Sequence, residues 1–298
     1  MQRIGFVGAS GMMGHGMAKN LLAKGQSLAL TVHRNKDRVA DLLSAGAKQV
    51  DSPAALAQAS DIVFLCVTGS PQVEETVLGK DGLLAGARPG LVIVDTSTSE
   101  PESTNRLRAR CAESGVEFVD APLTRTPVEA EAGKLNVMVG ATDETFAKLE
   151  PVLRCFAENV FHVGAPGSGH VIKLLNNFIA QASCTAIAEA FAVGTRAGVD
   201  LKKLVELMSK GLVNSGLLHV MAKTLDGDLA GMKFEINNAR KDIRYYTHLA
   251  ETLSIPTIVG EGVHQSLSMA CALGHGHKFV PSLVEAQEQL ADTKIVPR

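Results

Sequence analysis

Apolar and polar positions follow two different rhythms along this chain. In the first half, short runs rich in β-branched and aromatic residues recur at 3–7, 27–32, 62–67, 91–95, 117–120, 136–139 and 159–163. Between several of them lie amphipathic stretches with helical spacing, at 13–24 and 36–43. A further one, 101–114, follows a Thr/Ser cluster placed to cap it. Strands alternating with helices predict an α/β domain built on a parallel, doubly wound sheet.

The second half changes character after the Gly/Pro-rich segment 164–169. Residues 170–197 carry small and apolar side chains on nearly every face, the pattern of a buried helix. Residues 200–209 begin at Asp200, a good N-cap. Helical patterns continue at 236–253 and 260–273, and no β-type alternation returns. The expectation is a dinucleotide-binding domain over 1–163 and an all-α substrate and dimerisation domain over 164–298. A length of 298 residues suits two domains at about 150 residues each.

Composition removes several function classes. An apolar fraction of 46% with 20% charged residues is ordinary for a globular protein. The net charge of −2 provides no basic field for nucleic acid, and two Tyr with no Trp leave little for stacking bases. Five scattered cysteines, Cys66, Cys111, Cys155, Cys184 and Cys271, form no C-x-x-C pair and read as reduced small hydrophobes. No uninterrupted apolar run reaches about 18 residues, so no membrane span is expected. A strand-like run starting at Arg3 leaves no room for a signal peptide, which points to the cytoplasm.

The first strand runs into Gly8-Ala9-Ser10-Gly11-Met12-Met13-Gly14 and then a helix. A tight turn needs glycine, a pyrophosphate needs close backbone approach, and a helix N-terminus supplies free N–H donors. The spacing is G-x-x-G-x-x-G, one residue longer in the turn than the common fingerprint. Closure of a strand–helix turn is the alternative use of these glycines. The second strand ends at His33-Arg34-Asn35, where an NAD-specific site places a carboxylate for the ribose hydroxyls. Arg34 suits a 2′-phosphate instead, so NADP is the expected cofactor, with NAD as the alternative.

Four segments carry a resemblance that spans essentially the whole chain. They are Gly5-Phe6-Val7-Gly8 through Met17-Ala18-Lys19-Asn20-Leu21, Asp95-Thr96-Ser97-Thr98, Asp120-Ala121-Pro122-Leu123-Thr124-Arg125-Thr126 continuing to Gly133, and Gly167-Ser168-Gly169-His170-Val171-Ile172-Lys173-Leu174-Leu175-Asn176-Asn177. Lys241-Asp242 is a weaker fifth. With these the sequence resembles the β-hydroxyacid dehydrogenase family, which includes 3-hydroxyisobutyrate dehydrogenase and tartronate semialdehyde reductase. The resemblance implies a Rossmann domain followed by a helical domain, an active site in the cleft between them, and hydride transfer at a hydroxyl-bearing carbon beside an acid group.

By this resemblance Lys173 is the catalytic lysine, which gives a proton to the developing alkoxide or takes it back in oxidation. Asn176 and Asn177 lie three and four residues on, near the same helix face, where an amide can orient the lysine or hold the substrate oxygen. On chemistry alone, a lone lysine in an apolar helix more often snorkels to solvent. Ser97 has two readings, contact with nicotinamide or substrate, and a cap for the stretch from Pro101. Val67, Thr68 and Thr98 are expected to line the cofactor, together with Gly8, Ser10, Gly11, Met12, Met13, His33, Arg34, Asn35 and Lys241.

The departure from the family lies at Thr124-Arg125-Thr126, where Ser-Gly-Gly is usual. Arg125 adds a full charge and a planar fork of donors, which suits a carboxylate flanked by hydroxyls, or a sulfonate. Sulfolactaldehyde reductases resemble this sequence in having Arg-Thr at this point, although Ala180 offers no polar group to such a head group. The alternative for Arg125 is a surface pair with Glu129 or Glu131. Phe279 stands where an Asp is common, and His275 and His277 lack the partners for a metal site, so no metal is expected. The main reading is therefore an NAD(P)-dependent oxidoreductase of a small anionic hydroxy acid or its aldehyde, expected to be a homo-oligomer. A reductase of sulfonates and a non-catalytic NADP-binding sensor are the alternatives. Imine reduction is disfavoured by Lys173, and 6-phosphogluconate-type decarboxylation by the short chain.

Overall fold

Two strands buried at every position, Ile62–Leu65 and Val92–Asp95, fix the centre of the first unit. Strands covered on both faces read as continuous apolar runs, because helices pack on each side of a parallel sheet. In the computed structural model, which describes residues 2–32 and 36–297, that unit extends to Lys173. It runs β1 (Arg3–Val7), α1 (Met12–Ala23), β2 (Ser27–Thr31), α2 (Ala40–Ser44), β3 (Lys48–Val50), α3 (Pro53–Ala59), β4 (Ile62–Leu65), α4 (Ser70–Leu78), α5 (Leu83–Gly86), β5 (Val92–Asp95) and α6 (Pro101–Ala112). It continues through β6 (Glu117–Asp120), β7 (Leu123–Thr124), α7 (Pro127–Glu131), β8 (Leu135–Gly140), α8 (Asp143–Leu153) and β9 (Ala157–Gly164) into the first turns of α9 (Ser168–Arg196).

The sheet order is β3-β2-β1-β4-β5-β6-β8-β7, with β9 also on β8. The first six strands of that order are parallel, the doubly wound arrangement read from the sequence. Beyond β6 the sheet departs from all-parallel, since β8 pairs antiparallel with β6 and β7 and parallel with β9. Ile62 and Phe64 face one core with Phe6 and Phe156, while Val63 and Leu65 face the other with Leu56 and Ile93. The strand period of two thus builds both layers at once. The sequence pattern missed β3, a three-residue strand with no fully buried position, and β7, only two residues long. The first residues of the stretch 36–43 form a 3-10 turn, Lys36–Val39, before α2.

The second unit, from Leu174, is helical, as expected. It holds the remainder of α9 with α10 (Leu201–Ser209), α11 (Gly216–Ala222), α12 (Ile236–Thr252), α13 (Ile258–Ala270) and α14 (Leu283–Ala291). Its core gathers Phe191, Leu218, Met221, Ile243, Leu267 and Val284. Asp200 caps α10 by accepting the Lys202 and Lys203 N–H groups. Burial of α9 on every face is not met, because Ile179 and Val193 are 64% and 63% exposed. By length and apolar composition alone α9 is able to span a bilayer, a test that a core helix also passes.

Candidate active site

The glycine-rich loop lies at the carboxyl end of β1, beside β4, where the strand order reverses direction. Open α/β sheets bind ligands at such a point. Gly8 has φ 95°, and a Cβ there would come within 2.1 Å of the Cys66 carbonyl oxygen. A Cβ on Gly14 would meet the Gly8 carbonyl oxygen at 2.2 Å. The Gly11 N–H donates to that same oxygen at 2.9 Å and closes the turn. Helix α1 then starts at Met12 with no side-chain cap on its first N–H groups. This cradle fits a pyrophosphate: close backbone, free donors and the positive end of a helix. Ser10, Gly11, Met12 and Met13 all belong to it. Val67 and Thr68 leave the end of β4 next to it. His33, Arg34 and Asn35 lie outside the described residues.

At the end of β5, Asp95 is fully buried. Its Oδ1 accepts the Ser97 N–H at 2.9 Å and its Oδ2 accepts the Ser99 hydroxyl at 2.8 Å. Ser97 Oγ in turn accepts the Val67 N–H at 3.0 Å. The capping role considered for Ser97 is therefore wrong. Helix α6 begins after Glu100 with no side-chain cap, and Ser97 instead joins the ends of β4 and β5. Thr98 lies in the same turn.

A second buried carboxylate, Asp120, ends β6 and anchors α9. Its Oδ1 accepts the Gly167 N–H at 2.6 Å and its Oδ2 the His170 N–H at 3.0 Å. Glycine at 140 and 169 makes this approach possible, since a Cβ at either position would stand 2.8 Å from the carboxylate. Burial pushes the Asp120 carboxyl above its ordinary pKa, against the lowering effect of His170 and the two N–H groups. The fully buried His170 ring pairs Nδ1 with Thr104 Oγ1 at 2.7 Å, and its Nε2 lies 3.6 Å from Asp95 Oδ2. One turn later the Lys173 ammonium donates to the Leu123 carbonyl at 2.6 Å. Lys173 does not snorkel to solvent. It meets the head of the 123–126 turn.

In that turn Thr124 Oγ1 accepts from Asn136 Nδ2 at 3.1 Å. Arg125 has φ 80°, and its guanidinium contacts Glu158 Oε2 and the Lys134 carbonyl, both at 2.5 Å. The pairing considered with Glu129 or Glu131 is corrected to Glu158. Glu129 accepts the Thr126 N–H at 2.9 Å and its hydroxyl at 2.5 Å, a capping box that starts α7. Glu131 binds His15 and Lys19.

Within the second unit, Asn177 Nδ2 donates to the buried Asp242 Oδ2 at 2.6 Å, and Asn176 Nδ2 donates to Asn177 Oδ1 at 3.1 Å. The Lys241 ammonium lies 2.8 Å from Asp242 Oδ1 and 4.7 Å from the centre of the Tyr245 ring. Lys241 is half-buried, not a surface lysine. Among the described residues no His, Cys, Asp and Glu cluster has metal-site geometry. Burial pushes the thiols of Cys111 and Cys184 up to about 12 and that of Cys66 to about 11, which removes them as nucleophiles at neutral pH. Sequence reasoning assigned no role to Asp95, Asp120 or His170, although each lies in a quoted motif. A carboxylate closing an otherwise apolar strand was the available signal.

The sequence model of the NAD binding domain of 6-phosphogluconate dehydrogenase matches residues 3–164. That of the NAD-binding region of NADP-dependent 3-hydroxyisobutyrate dehydrogenase matches residues 167–286. The chain is 30% identical to 2-(hydroxymethyl)glutarate dehydrogenase of Eubacterium barkeri, covering 98% of this chain and 97% of that protein. It is 31% identical to 2-hydroxy-3-oxopropionate reductase of Escherichia coli, covering 98% and 99%. In fold it matches the 3-hydroxyisobutyrate dehydrogenase structure of Mycobacterium tuberculosis with a TM-score of 0.86, at 22% identity, covering 96% and 98%. The cradle after β1, the lysine on the 123–126 turn and these full-length matches agree: the chain belongs to the β-hydroxyacid dehydrogenase family and is an NAD(P)-dependent oxidoreductase of small hydroxy acids and their aldehydes.

Proposed function

We propose that the chain interconverts a short hydroxy acid of the 3-hydroxyisobutyrate type and its aldehyde, with NADP preferred over NAD and Lys173 as the proton-transfer group. The observation that carries this reading is the 2.6 Å contact of Lys173 Nζ with Leu123 O, which brings an ammonium to the turn that departs from the family pattern. The bound nicotinamide supplies or accepts the hydride. Lys173 gives a proton to the carbonyl oxygen as negative charge grows there, and takes it back in oxidation. Asn177, fixed by Asp242, orients the reacting oxygen or the lysine. Thr124, Arg125, Thr126, Ser97 and Asn176 are assigned to the acid group and its neighbours, and Val67, Thr68, Thr98 and Lys241 to the cofactor. A sulfonate substrate is the second reading, favoured by the full charge of Arg125.

NADP preference rests on Arg34. Replacing it with Ala is expected to weaken NADPH far more than NADH. Equal loss for both would reverse the preference. The deciding experiment is a panel scored with NADPH and NADH side by side: succinic semialdehyde, glyoxylate, tartronate semialdehyde, 3-hydroxyisobutyrate and sulfolactaldehyde. Turnover of none of them, with NADPH still bound, would favour a sensor.

The helical unit also supports self-association. Ile179, Val193, Leu207, Leu212 and Ile258 are all more than 60% exposed. Apolar exposure on this scale suits burial by a second copy. Sedimentation of a monomer at micromolar concentration would remove this part of the reading.

A further inference from the structure

Three described residues other than glycine take a left-handed backbone: Arg125, Ser254 and Asp292. Ser254 and Asp292 follow the ends of α12 and α14, where such a residue commonly stops a helix. Arg125 has no such duty. It lies between β7 and α7, in a conformation that costs an arginine strain and that its surroundings must enforce. The backbone on either side is fixed by the pairing of Leu123 and Thr124 with β8 and by the capping box at Thr126, while the guanidinium itself lies 2.5 Å from both Glu158 and the Lys134 carbonyl. The Thr126 N–H and hydroxyl beside it are both taken by Glu129. Nη1 of Arg125 and the N–H and hydroxyl of Thr126 thus already hold acceptors from the protein itself.

We propose that Glu158 is a resident counter-ion that competes with the substrate's acid group for Arg125, so that Arg125 is a guarded anion site and not an open one. This rests on the reading of Arg125 as a substrate-anion residue. The exchange swaps one carboxylate for another anion at the same guanidinium. Glu158 is 47% exposed in its side chain, so on release it regains water at small cost. A pair this exposed is weak, which keeps it displaceable. An internal competitor lowers the fraction of Arg125 ready to bind, and every anion's apparent affinity falls by the same factor. Inorganic anions and substrate are weakened alike at Arg125, and a substrate held also by Lys173 and its neighbours starts from the higher affinity. Glu158 therefore sets the apparent affinity of the anion site and never needs to touch the reacting carbon.

The test compares Glu158→Gln, Arg125→Ala and the double variant, using the best acid substrate of the panel and sodium sulfate as a competing anion. Glu158→Gln is close in shape and half exposed, so folding is retained. Its KM for the acid is expected to fall about two- to sixfold, with kcat and NADPH affinity unchanged. Sulfate inhibition strengthens by the same factor. In the Arg125→Ala background the same change has no effect. An unchanged or higher KM in Glu158→Gln, or an equal fall without Arg125, overturns the proposal. If Arg125→Ala raises KM while Glu158→Gln does nothing, Arg125 keeps its substrate role and only the guard is lost. If Arg125→Ala leaves KM unchanged, both ideas fail.

Discussion

The Asp120 carboxylate accepts the backbone N–H of His170 at 3.0 Å, three residues before Lys173. Its other oxygen takes the Gly167 N–H, so one side chain fixes the turn of backbone that opens α9. Asparagine at 120 keeps the shape but has one acceptor oxygen and presents an NH2 to an N–H. Asp120→Asn is expected to shift Lys173 and lower kcat by about tenfold to a hundredfold, because small misplacements are costly in catalysis. NADPH affinity stays within about twofold, since the cradle after β1 is untouched. Single-turnover loss of NADPH absorbance reads both quantities, and wild-type kcat would refute the anchoring role.

Lys173→Ala removes the ammonium from the Leu123 carbonyl. The rate is expected to fall by about 10²- to 10⁴-fold, the range of a lost general acid. Cofactor titration by fluorescence is expected to match the wild type. Equal turnover in this variant would remove the proposed proton transfer.

Gly8→Ala places a methyl group 2.1 Å from the Cys66 carbonyl oxygen in a backbone of φ 95°. The loop must shift, so calorimetric NADPH binding should be lost, with a stability loss of about 1–3 kcal/mol. Gly25→Ala is the control. Its φ is 79° with no atom within 4 Å, so only the backbone cost of about 1–2 kcal/mol applies and binding persists. Intact binding in Gly8→Ala would mean that the loop is not the cofactor cradle.

His15 bridges Glu131 Oε1 at 2.6 Å and Asp41 Oδ2 at 3.0 Å. Burial lowers its pKa, but the two carboxylates outweigh this and hold it above the ordinary 6.5. A raised folded value means that its stabilisation is full below 6.5 and fades as pH rises through the folded pKa. Glu131 is held below its ordinary 4.5, burial being outweighed by His15 and Lys19, so its share fades as pH falls. The stability gap between wild type and His15→Gln is expected to be widest between about pH 4.5 and 6.5 and to shrink as pH rises through the raised His15 pKa. Urea unfolding at two pH values measures it, and a gap that grows with pH would contradict the bridge.

Most of the strands were legible because parallel strands announce themselves as apolar runs, as Ile62 to Leu65 do. The cradle was legible because its glycines are needed locally, at Gly8 and Gly14, by contacts within a few residues or with the adjacent strand. The interior of the site was not. Asp95, Asp120 and His170 lie 25 and 50 positions apart in sequence, and their burial comes from sheet order that no local pattern encodes. The partner of Arg125 was missed for the same reason, since Glu158 arrives on β9, whereas Glu129 and Glu131 are near only along the chain. A cap was one of the two readings of Ser97 because serine before a helix often is one, whereas its hydroxyl meets Val67, which follows β4.

Gly16 on α1 lies against the backbone of Ala130 on α7 so closely that a Cβ would stand 2.4 Å from the Ala130 carbonyl carbon. Asn20, one turn further, reaches the Ala130 and Glu131 carbonyl oxygens at 3.0 and 3.2 Å. The helix that follows the glycine loop and the helix that follows residues 124–126 are thereby joined at a seam where Gly16 leaves no side chain between the two backbones. Exchanges within residues 124–126 leave this seam intact, whereas lengthening that loop would pry at it and surface first as poorer coenzyme affinity.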